Sequence, residues 1–449
     1  MNTQTIVACA TSPGRGGIGI VRVSGPLVKS IAQGIVGAIP TPRQAHFCQF
    51  LNMEQQVIDE GVVLYFPAPH SFTGEDILEL QAHGSPVVLA ELIDTCTKLG
   101  ARHAKPGEFS ERAFLNNKMD LTQAEAIADL IDSTSVQAAR SALRSLQGEF
   151  SKLIHNMRQQ IIKLRTYVEA AIDFADEDIE FIEQANIAQQ LMAIQQELLQ
   201  TQQAARQGVI LRDGLTMVIA GRPNVGKSSL LNCLSGRESA IVSEIAGTTR
   251  DVMREHIHLK GIPLHIIDTA GIHASSNQIE LEGIKRARQE ISNADLLLYI
   301  TDCRDPLPEN IAQAVELATL PQHVMVVRNK IDLTQQSPML VKHDEYHEIF
   351  ISAKQQLGID VLRETLYTQL IGMEINEGSF IARQRHLDAL RQAFDAIARG
   401  LLQLQQYRAA DLLADDLVQA QKWLDEITGE YLTSDDLLGR IFSTFCVGK

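Results

Sequence analysis

The sequence predicts a multidomain protein that combines α/β parts with an all-α part. Prolines are concentrated near the N-terminus, with eight of the 14 before residue 107 and none from Gly107 to Arg222. Beyond Leu121, apolar residues recur at three- and four-residue spacing, which is the period of an amphipathic helix. From Leu215, short apolar runs of strand character alternate with helical segments, as in a mainly parallel α/β sheet.

Residues 1–118 are predicted to form an N-terminal α/β domain. Short β-rich runs such as Ile18–Val23 and Gly61–Phe66 are separated there by glycine and proline, which interrupt regular structure. Short strands with frequent turns indicate a compact fold.

Two stretches of helical periodicity are predicted to form one helical domain. The first covers residues 119–214 and the second residues 373–449. An amphipathic helix must bury its apolar stripe against another element. The simplest arrangement packs the two stretches together, with residues 215–372 inserted between them as a separate α/β domain.

Composition limits the function classes. The chain has 449 residues and a formal net charge of −15, so it should repel nucleic acid at long range. Any contact with RNA would therefore use a local basic patch or a partner's surface. The six cysteines are far apart and form no Cys-x-x-Cys pair, which argues against a zinc site or a disulfide framework. No apolar run is long enough for a membrane span, and we expect a cytoplasmic protein with no membrane association.

A phosphate-binding loop begins the central domain. The strand-like run Leu215–Ala220 is followed by Gly221-Arg-Pro-Asn-Val-Gly-Lys-Ser228 and then by a helical segment. This is the G-x-x-x-x-G-K-[ST] pattern in the strand–loop–helix setting that it requires. Its backbone N–H groups surround phosphates, Lys227 reaches the β- and γ-phosphates, and the Ser228 hydroxyl can bind Mg²⁺.

A second motif follows the strand Leu264–Ile267. It reads Asp268-Thr-Ala-Gly271. Asp268 can orient the water shell of Mg²⁺, and the Gly271 N–H can sense the γ-phosphate. Between the two motifs lies Ser243–Asp251, where a threonine normally completes the Mg²⁺ shell, and we assign this role to Thr249.

Two further motifs predict that the base is guanine. Asn329-Lys-Ile-Asp332 ends a strand, and Ser352-Ala-Lys354 ends another. A carboxylate at Asp332 accepts hydrogen bonds from the ring N–H and the amino group of guanine. Adenine lacks this donor pair and would leave the carboxylate unpaired. The motif set therefore specifies GTP on a Ras-like sheet.

One position departs from the Ras pattern. The glutamine that orients the attacking water in Ras-type GTPases is replaced by Ile272, which cannot do so. Hydrolysis must use another residue or a partner. Glu280, at the end of the polar loop Ile272–Ile279, is the candidate, although an acid there could equally be a solvated helix N-terminal residue.

Several segments extend the resemblance beyond the nucleotide motifs. The central motifs resemble bacterial translation-factor-related GTPases with a hydrophobic residue in place of the glutamine. Four other segments resemble the MnmE family of tRNA-modification GTPases, namely Ala10–Gly25, Ser71–Asp76, Gly107–Asn116 and Phe445–Lys449. The resemblance covers essentially the whole chain and includes the order of the domains.

Membership of that family would imply a specific reaction and specific partners. The family forms homodimers through its N-terminal domains, and a G domain is inserted in its helical domain. It works with the flavoprotein MnmG, in a heterotetramer or a larger complex. Together they place a carboxymethylaminomethyl group on C5 of the wobble uridine of certain tRNAs. A tetrahydrofolate derivative, in the 5,10-methylene or 5-formyl form, supplies the one-carbon unit.

The resemblance also implies roles for individual residues. The folate contacts would be Arg22, Glu79, Lys118 and Lys449, with Cys446 near the folate as a possible participant in the chemistry. A K⁺ ion would be held by the side chain of Asn224 and by the backbone of Ser243, Ile245 and Thr248. A cation there can do the work of an arginine finger. Glu280 falls where the family has its water-orienting glutamate and would be catalytic together with Lys227 and Asp268.

The complete set of predicted GTP contacts follows from the motifs and the resemblance together. It comprises Asn224, Val225, Gly226, Lys227, Ser228, Ser229, Ser243, Glu244, Ile245, Ala246, Gly247, Thr248, Thr249, Asp268, Thr269, Ala270, Gly271, Asn329, Lys330, Asp332, Ser352, Ala353 and Lys354.

Two other functions remain open from the sequence. The G domain alone permits a ribosome-assembly GTPase, a binding switch without substrate chemistry. Such proteins commonly carry an RNA-binding module, and this acidic chain has no evident basic one. A self-contained folate enzyme with a regulatory G domain is the third hypothesis.

Overall fold

The computed structural model describes residues 4–173, 187–235, 254–268, 294–314, 320–371, 379–407, 410–430, 435–445 and 448. The chain forms two compact units. The first comprises Met1–Ala128, Ser145–Glu197 and Gln392–Lys449, and the second comprises Asp129–Arg144 and Leu198–Arg391. The prediction of a protein that combines β-sheets with many helices is confirmed.

The first unit contains a six-stranded sheet. Its strands are β1 (Ile6–Cys9), β2 (Gly16–Ser24), β3 (His46–Leu51), β4 (Val57–Phe66), β5 (Ile77–Gly84) and β6 (Arg102–His103), in the order β3-β4-β5-β2-β1-β6. Neighbouring strands are antiparallel except β1 and β6. The β-rich runs noted in the sequence, at residues 18–23 and 61–66, lie within β2 and β4.

Helices α1 (Val28–Val36) and α2 (Pro86–Lys98) contribute to the core of this sheet. Ile31 and Leu92 are fully buried in a cluster with Val21 and Leu80 of the strands. Such alternation of inward apolar residues along the strands fixes their register, because a slip of one residue would expose the core side chains.

A buried ion-pair network anchors α3 (Glu108–Leu115) in the first unit. Glu108 accepts hydrogen bonds from Arg102 and Arg112, and Arg112 also pairs with Glu75 at 2.8 Å. Burial alone would raise the pKa of Glu108, but the hydrogen bonds from Arg102, the Lys105 N–H and Arg112 outweigh it and lower the pKa to about 2. Glu108 is therefore charged at neutral pH and holds both arginines in place.

The helices follow the predicted periodicity closely. They are α4 (Leu121–Ile131), α5 (Val136–Leu146), α6 (Glu149–Asp173), α7 (Ile187–Asp213), α11 (Gln384–Leu402), α12 (Ala410–Thr428) and α13 (Asp435–Ser443). One turn differs from the prediction, since Gln403–Tyr407 is a π-helix rather than an α-helix.

Within the first unit, α6 packs on α12. Arg158 of α6 forms an ion pair with Asp425 of α12, and Arg165 Nη1 donates to Gln421 Oε1 at 2.6 Å. Helices that come before and after residues 215–372 in the sequence therefore share one packed interface.

The second unit contains a seven-stranded sheet. Its strands are β7 (Leu215–Ala220), β8 (Arg254–Leu259), β9 (Ile262–Asp268), β10 (Leu296–Asp302), β11 (His323–Asn329), β12 (Met339–Lys342) and β13 (His347–Phe350). The order is β12-β13-β11-β10-β7-β9-β8, and all neighbours are parallel except the two outermost pairs.

Helices α8 (Lys227–Ser235), α9 (Ile311–Ala314) and α10 (Ile359–Ile371) connect or follow these strands. Strand β10 is buried along its whole length, and apolar clusters lie on both faces of the sheet. The carboxyl edge of this parallel sheet lies at the ends of β7, β9, β10 and β11, where ligands of such sheets bind.

Across the helices that the structure describes, none combines the length and the apolar character needed to cross a membrane.

Candidate functional site

The loop between β7 and α8 has a backbone shape that requires glycine at two places. Gly221 has a φ of 152° and Gly226 a φ of 101°. A Cβ atom at Gly226 would lie 2.3 Å from Asn329 Nδ2, and one at Gly221 would lie 2.2 Å from the Ile300 carbonyl oxygen. These positions exclude a side chain, which explains both glycines of the phosphate-binding pattern. Asn224 adopts the left-handed region as well, with a φ of 66°, and is exposed.

Lys227 folds back over this loop from the start of α8. Its Nζ donates to the Gly221 carbonyl at 2.8 Å and to the Arg222 carbonyl at 3.3 Å. The ammonium group is thus held at the loop whose N–H groups surround phosphate in proteins of this pattern. Ser228 follows it in the first turn of the helix, where the positive end of the helix dipole favours anions.

Asn329 joins three of the predicted motifs through one side chain. Its Nδ2 donates to the Val225 carbonyl at 2.8 Å, while Oδ1 accepts from the N–H groups of Lys330 at 2.8 Å and Ala353 at 3.0 Å. The residue is only 3% exposed. The phosphate loop and both base motifs are therefore tied together through a single buried amide.

Asp332 is oriented by Ser352. The Ser352 Oγ donates to Asp332 Oδ1 at 2.5 Å and in turn accepts from the Gln355 N–H at 3.2 Å. Strand β13 ends at Phe350, so Ser352 lies two residues beyond the strand that was predicted to end in it, and it forms an isolated bridge with Leu357. The Asp332 carboxylate is thus held in one orientation by the Ser352 hydroxyl.

The backbone of β9 brings the second phosphate motif to the same edge. Ile219 of β7 is the register partner of Asp268, the last residue of β9. Since Ile219 is two residues before Gly221, the Asp268 backbone lies beside the start of the phosphate loop.

Many predicted site residues lie outside the described part of the chain. They are Ser243, Glu244, Ile245, Ala246, Gly247, Thr248, Thr249, Thr269, Ala270, Gly271, Ile272, Glu280, Cys446 and Lys449, together with the side chain of Asp268.

Asp302 lies beside the predicted guanine motif and is not among the residues that the sequence predicted for the site. It ends β10, is 5% exposed, and its carboxylate lies 3.1 Å from Lys330 Nζ and 2.7 Å from Arg304 Nη2. Hydrogen bonds from Arg304 hold the pKa of Asp302 well below its usual range. The signal was present in the sequence, because Asp302 follows a buried apolar strand as Asp268 does.

A second cluster of predicted residues lies in the first unit. Arg22 pairs with Glu79, with Nε 2.9 Å and Nη2 2.8 Å from Glu79 Oε1. The guanidinium also lies over two aromatic rings, 5.7 Å from the centroid of Phe72 and 5.8 Å from that of Phe109. A partly exposed arginine held in this way offers a fixed cationic face.

Lys118 belongs to the same cluster. Its Nζ donates to the Pro69 carbonyl at 3.0 Å, and the neighbouring Asn116 Nδ2 donates to the Thr73 carbonyl at 2.7 Å. The segment 69–73, which includes Phe72, thus lies between Lys118 and the Arg22–Glu79 pair.

Gly448 lies against β1 in the first unit. A Cβ at Gly448 would lie 2.1 Å from the Cys9 carbonyl oxygen. The residue before Cys9, Ala8, is the register partner of Arg22. Arg22, Glu79 and Lys118 therefore lie near segment 69–73. The fourth predicted folate residue, Lys449, follows Gly448, which packs on β1 beside the strand that carries Arg22.

Comparisons with known proteins agree over the whole chain. The family descriptions that match are "MnmE helical domain" for residues 121–446 and "GTP-binding protein TrmE N-terminus" for residues 5–118. A protein of Hydrogenovibrio crunogenus is 53% identical over 449 residues, with 99% of each chain covered. One of Shewanella amazonensis is 54% identical over 455 residues, with 100% of each covered. Both are named tRNA modification GTPase MnmE.

Among solved structures, Era from Aquifex aeolicus, bound to GDP and aluminium fluoride, is 28% identical. The match covers 40% of this chain and 66% of Era, with a TM-score of 0.26.

Proposed function

Because the chain belongs to the MnmE family of tRNA modification GTPases and is a GTP hydrolase, we propose that its GTP turnover drives modification of the wobble uridine of certain tRNAs. The group added is carboxymethylaminomethyl, on C5 of the uridine. One observation carries the proposal. The predicted nucleotide motifs, joined by Asn329, lie in a chain that is similar from end to end to proteins named tRNA modification GTPase.

As a GTPase of this family, the protein binds GTP and Mg²⁺. We assign the phosphate contacts to the loop before α8, the catalytic ammonium to Lys227, and the Mg²⁺ ligands to Ser228 and Thr249. Asp268 orients the water shell of the metal. For the remaining predicted GTP contacts we propose the roles that the motifs imply. The described geometry supports the assignment of the phosphate contacts, since Lys227 and the N-terminus of α8 present positive charge at one loop.

We assign the missing catalytic charge to K⁺. Bound beside the phosphate loop, the ion supplies positive charge next to the transferring phosphoryl group. The chain would hold it with the Asn224 side chain and with backbone oxygens of Ser243, Ile245 and Thr248. The exposed Asn224, in a left-handed conformation within the loop, suits a side-chain ligand. Glu280 then orients the attacking water in place of the glutamine that Ile272 replaces.

We assign the one-carbon donor, a tetrahydrofolate derivative, to the cluster in the first unit. Arg22, Glu79 and Lys118 surround the segment that carries Phe72, and Lys449 is expected to join them. Cationic side chains suit the carboxylates of a folate tail, and an aromatic ring suits its flat heterocycle. Cys446 would lie near the folate.

The Arg22→Ala variant is expected to bind tetrahydrofolate at least about tenfold more weakly than the wild type, because hydrogen bonds to a charged group are lost. Isothermal titration of the full-length protein measures this. Lys98→Ala, which removes an exposed lysine paired with Asp94 on α2, is the matched control and should bind normally. Equal affinity of Arg22→Ala and wild type would remove the folate assignment.

Family membership and the charge of the chain support the partners proposed here. We propose a homodimer that works with the flavoprotein MnmG, in a heterotetramer or a larger complex, on tRNA. An acidic chain with net charge −15 needs a local basic patch or a partner's surface to hold tRNA.

We propose four segments for the domain organisation. They are an N-terminal domain (1–118), which binds folate and dimerises, a first helical part (119–214), an inserted G domain (215–372) and a second helical part (373–449). The packing of α6 on α12 within one unit supports an insertion of this kind.

The wobble-nucleoside profile of tRNA tests the proposed function. Mass spectrometry of tRNA from cells that lack the protein should show loss of the 5-substituted uridine. Wild-type protein should restore it, whereas Asp268→Ala and Glu280→Ala should not, because restoration requires hydrolysis. A normal profile without the protein would refute the tRNA assignment and favour a ribosome-assembly GTPase. Full modification without any flavoprotein would favour a self-contained folate enzyme.

A further inference from the structure

The backbone of Lys330 adopts an unfavourable conformation between the two base-recognition residues. Its φ is 71°, in the left-handed region that residues with a Cβ rarely adopt. Lys330 follows Asn329, whose side chain accepts the Lys330 N–H, and it precedes Asp332 by two residues. A strained residue at this place persists only if its surroundings hold it, and the position of Asp332 depends on it.

The end of β10 supplies the contacts that hold Lys330. Asp302 and Asn329 are register partners in the parallel ladder, so the two strands end side by side. Asp302 Oδ2 lies 3.1 Å from Lys330 Nζ. The next residue, Cys303, donates its N–H to the Asn329 carbonyl at 2.8 Å and its Sγ to the Lys330 carbonyl at 3.3 Å. The side chain of Lys330 therefore contacts the last residue of β10, and its backbone carbonyl contacts the residue that follows the strand.

Asp302 is suited to anchor a cation. Its side chain is 8% exposed, and Arg304 donates from Nε to Oδ1 at 2.9 Å and from Nη2 to Oδ2 at 2.7 Å. The Arg304 N–H also reaches Oδ1, at 3.1 Å. These hydrogen bonds lower the pKa of Asp302, so the carboxylate is charged at neutral pH. The exposed Arg304 and the less exposed Lys330 share this carboxylate, and of the two only Lys330 connects it to the base-recognition segment.

We propose that Asp302 is a positioning residue for guanine recognition, which holds Lys330 in the left-handed conformation that presents Asp332 to the base. Asp302 acts through Lys330 and is not itself a nucleotide ligand. The inference rests on the proposed guanine site at Asn329–Asp332, and it adds a residue that lies outside the nucleotide motifs.

The test compares nucleotide binding by full-length variants. Asp302→Asn keeps the shape of the side chain and removes its charge. The dissociation constant of a fluorescent N-methylanthraniloyl-GDP is expected to rise about tenfold, as expected for loss of a charge-assisted hydrogen bond. The KM for GTP should rise by a similar factor while kcat at saturating GTP stays near the wild-type value. A general loss of folding would lower both binding and kcat.

A double-mutant cycle isolates the contact. Lys330→Met keeps the methylene stem and removes the ammonium, so adding Asp302→Asn to it should weaken binding no further. Arg304→Ala, which removes the other cation on the same carboxylate, is the matched control and should bind nucleotide as the wild type does.

Three outcomes would overturn the inference. The inference is overturned if Asp302→Asn binds the GDP analogue as tightly as the wild type does, or if its effect is undiminished in the Lys330→Met background. If Asp302→Asn does not fold, as judged by circular dichroism, Lys330→Met and Arg304→Ala decide, and equal affinity of these two contradicts the inference. Failure of the guanine site itself is seen separately, as a wild-type chain that binds the ADP analogue as tightly as the GDP analogue.

Discussion

The Asp332→Asn variant is expected to bind GTP at least about a hundredfold more weakly than the wild type, because two hydrogen bonds to a charged acceptor are lost together. In the proposed site the carboxylate accepts from the ring N–H and the amino group of guanine. An asparagine presents one acceptor and one donor group instead, and its amide N–H₂ would face the amino group of the base. Xanthine carries a carbonyl where guanine has that amino group, so the variant should gain affinity for XTP.

Equilibrium titration of the full-length variant with GTP and XTP measures this exchange. The geometry argues that the variant will fold normally, since Ser352 Oγ can still donate to a side-chain oxygen at position 332. Ser352→Ala serves as the matched comparison. It leaves the carboxylate in place but unoriented, so it should weaken GTP binding without any gain for XTP. A variant that loses GTP and XTP equally would indicate a misfolded loop rather than altered base recognition.

Replacement of Na⁺ by K⁺ is expected to accelerate GTP hydrolysis by the wild type about a hundredfold or more, and Asn224→Ala should remove the difference. The magnitude follows from the arginine fingers of other GTPases, which are worth about 10³–10⁵ in kcat. Ile272 provides no group to orient water or stabilise charge, so the chain depends on an added cation and on Glu280. Single-turnover hydrolysis in matched chloride salts, with choline as the inert cation, measures the effect.

Two controls distinguish an effect of K⁺ on the hydrolysis step from an effect on nucleotide binding and from loss of the water-orienting group. Nucleotide affinity measured in both salts should differ little, since K⁺ acts on the transition state more than on the ground state. Glu280→Ala should be slow in either salt, because it loses the water-orienting group and not the ion. Equal wild-type rates in K⁺ and Na⁺ would contradict the assignment of Asn224.

Much of the nucleotide site could be predicted from the sequence, because its motifs are required by the local conformation of the backbone. The phosphate loop needs consecutive N–H groups and glycines at fixed spacing, and Gly221 and Gly226 prove to have no space for a Cβ. The strands before Asp268 and Asn329 were predictable because buried parallel strands are apolar runs. The helices before and after residues 215–372 were predictable from the three- and four-residue spacing of their apolar residues. Among the residues that the structure describes, the turn at Gln403–Tyr407 and the exact end of β13 differ from expectation.

Contacts between segments that are distant in the chain could not be predicted from the sequence. No pattern shows that Asn329 joins Val225 to Ala353, 104 and 24 residues away. The attachment of Lys330 to Asp302 depends on the register of β10 with β11, which pairs Asp302 with Asn329. The clustering of Arg22, Lys118 and Phe72 likewise depends on the folding of segment 69–73 between them.

The sequence by itself determined the type of nucleotide, the order of the elements and the family. Each of these depends on motifs whose own residues are close together in the chain, even where one motif is far from the next. Tertiary structure alone decided which buried side chains hold those residues in position, such as Asn329, Asp302 and Ser352. The physical reason is that hydrogen bonds and ion pairs act over about 3 Å in space, whatever the distance along the chain.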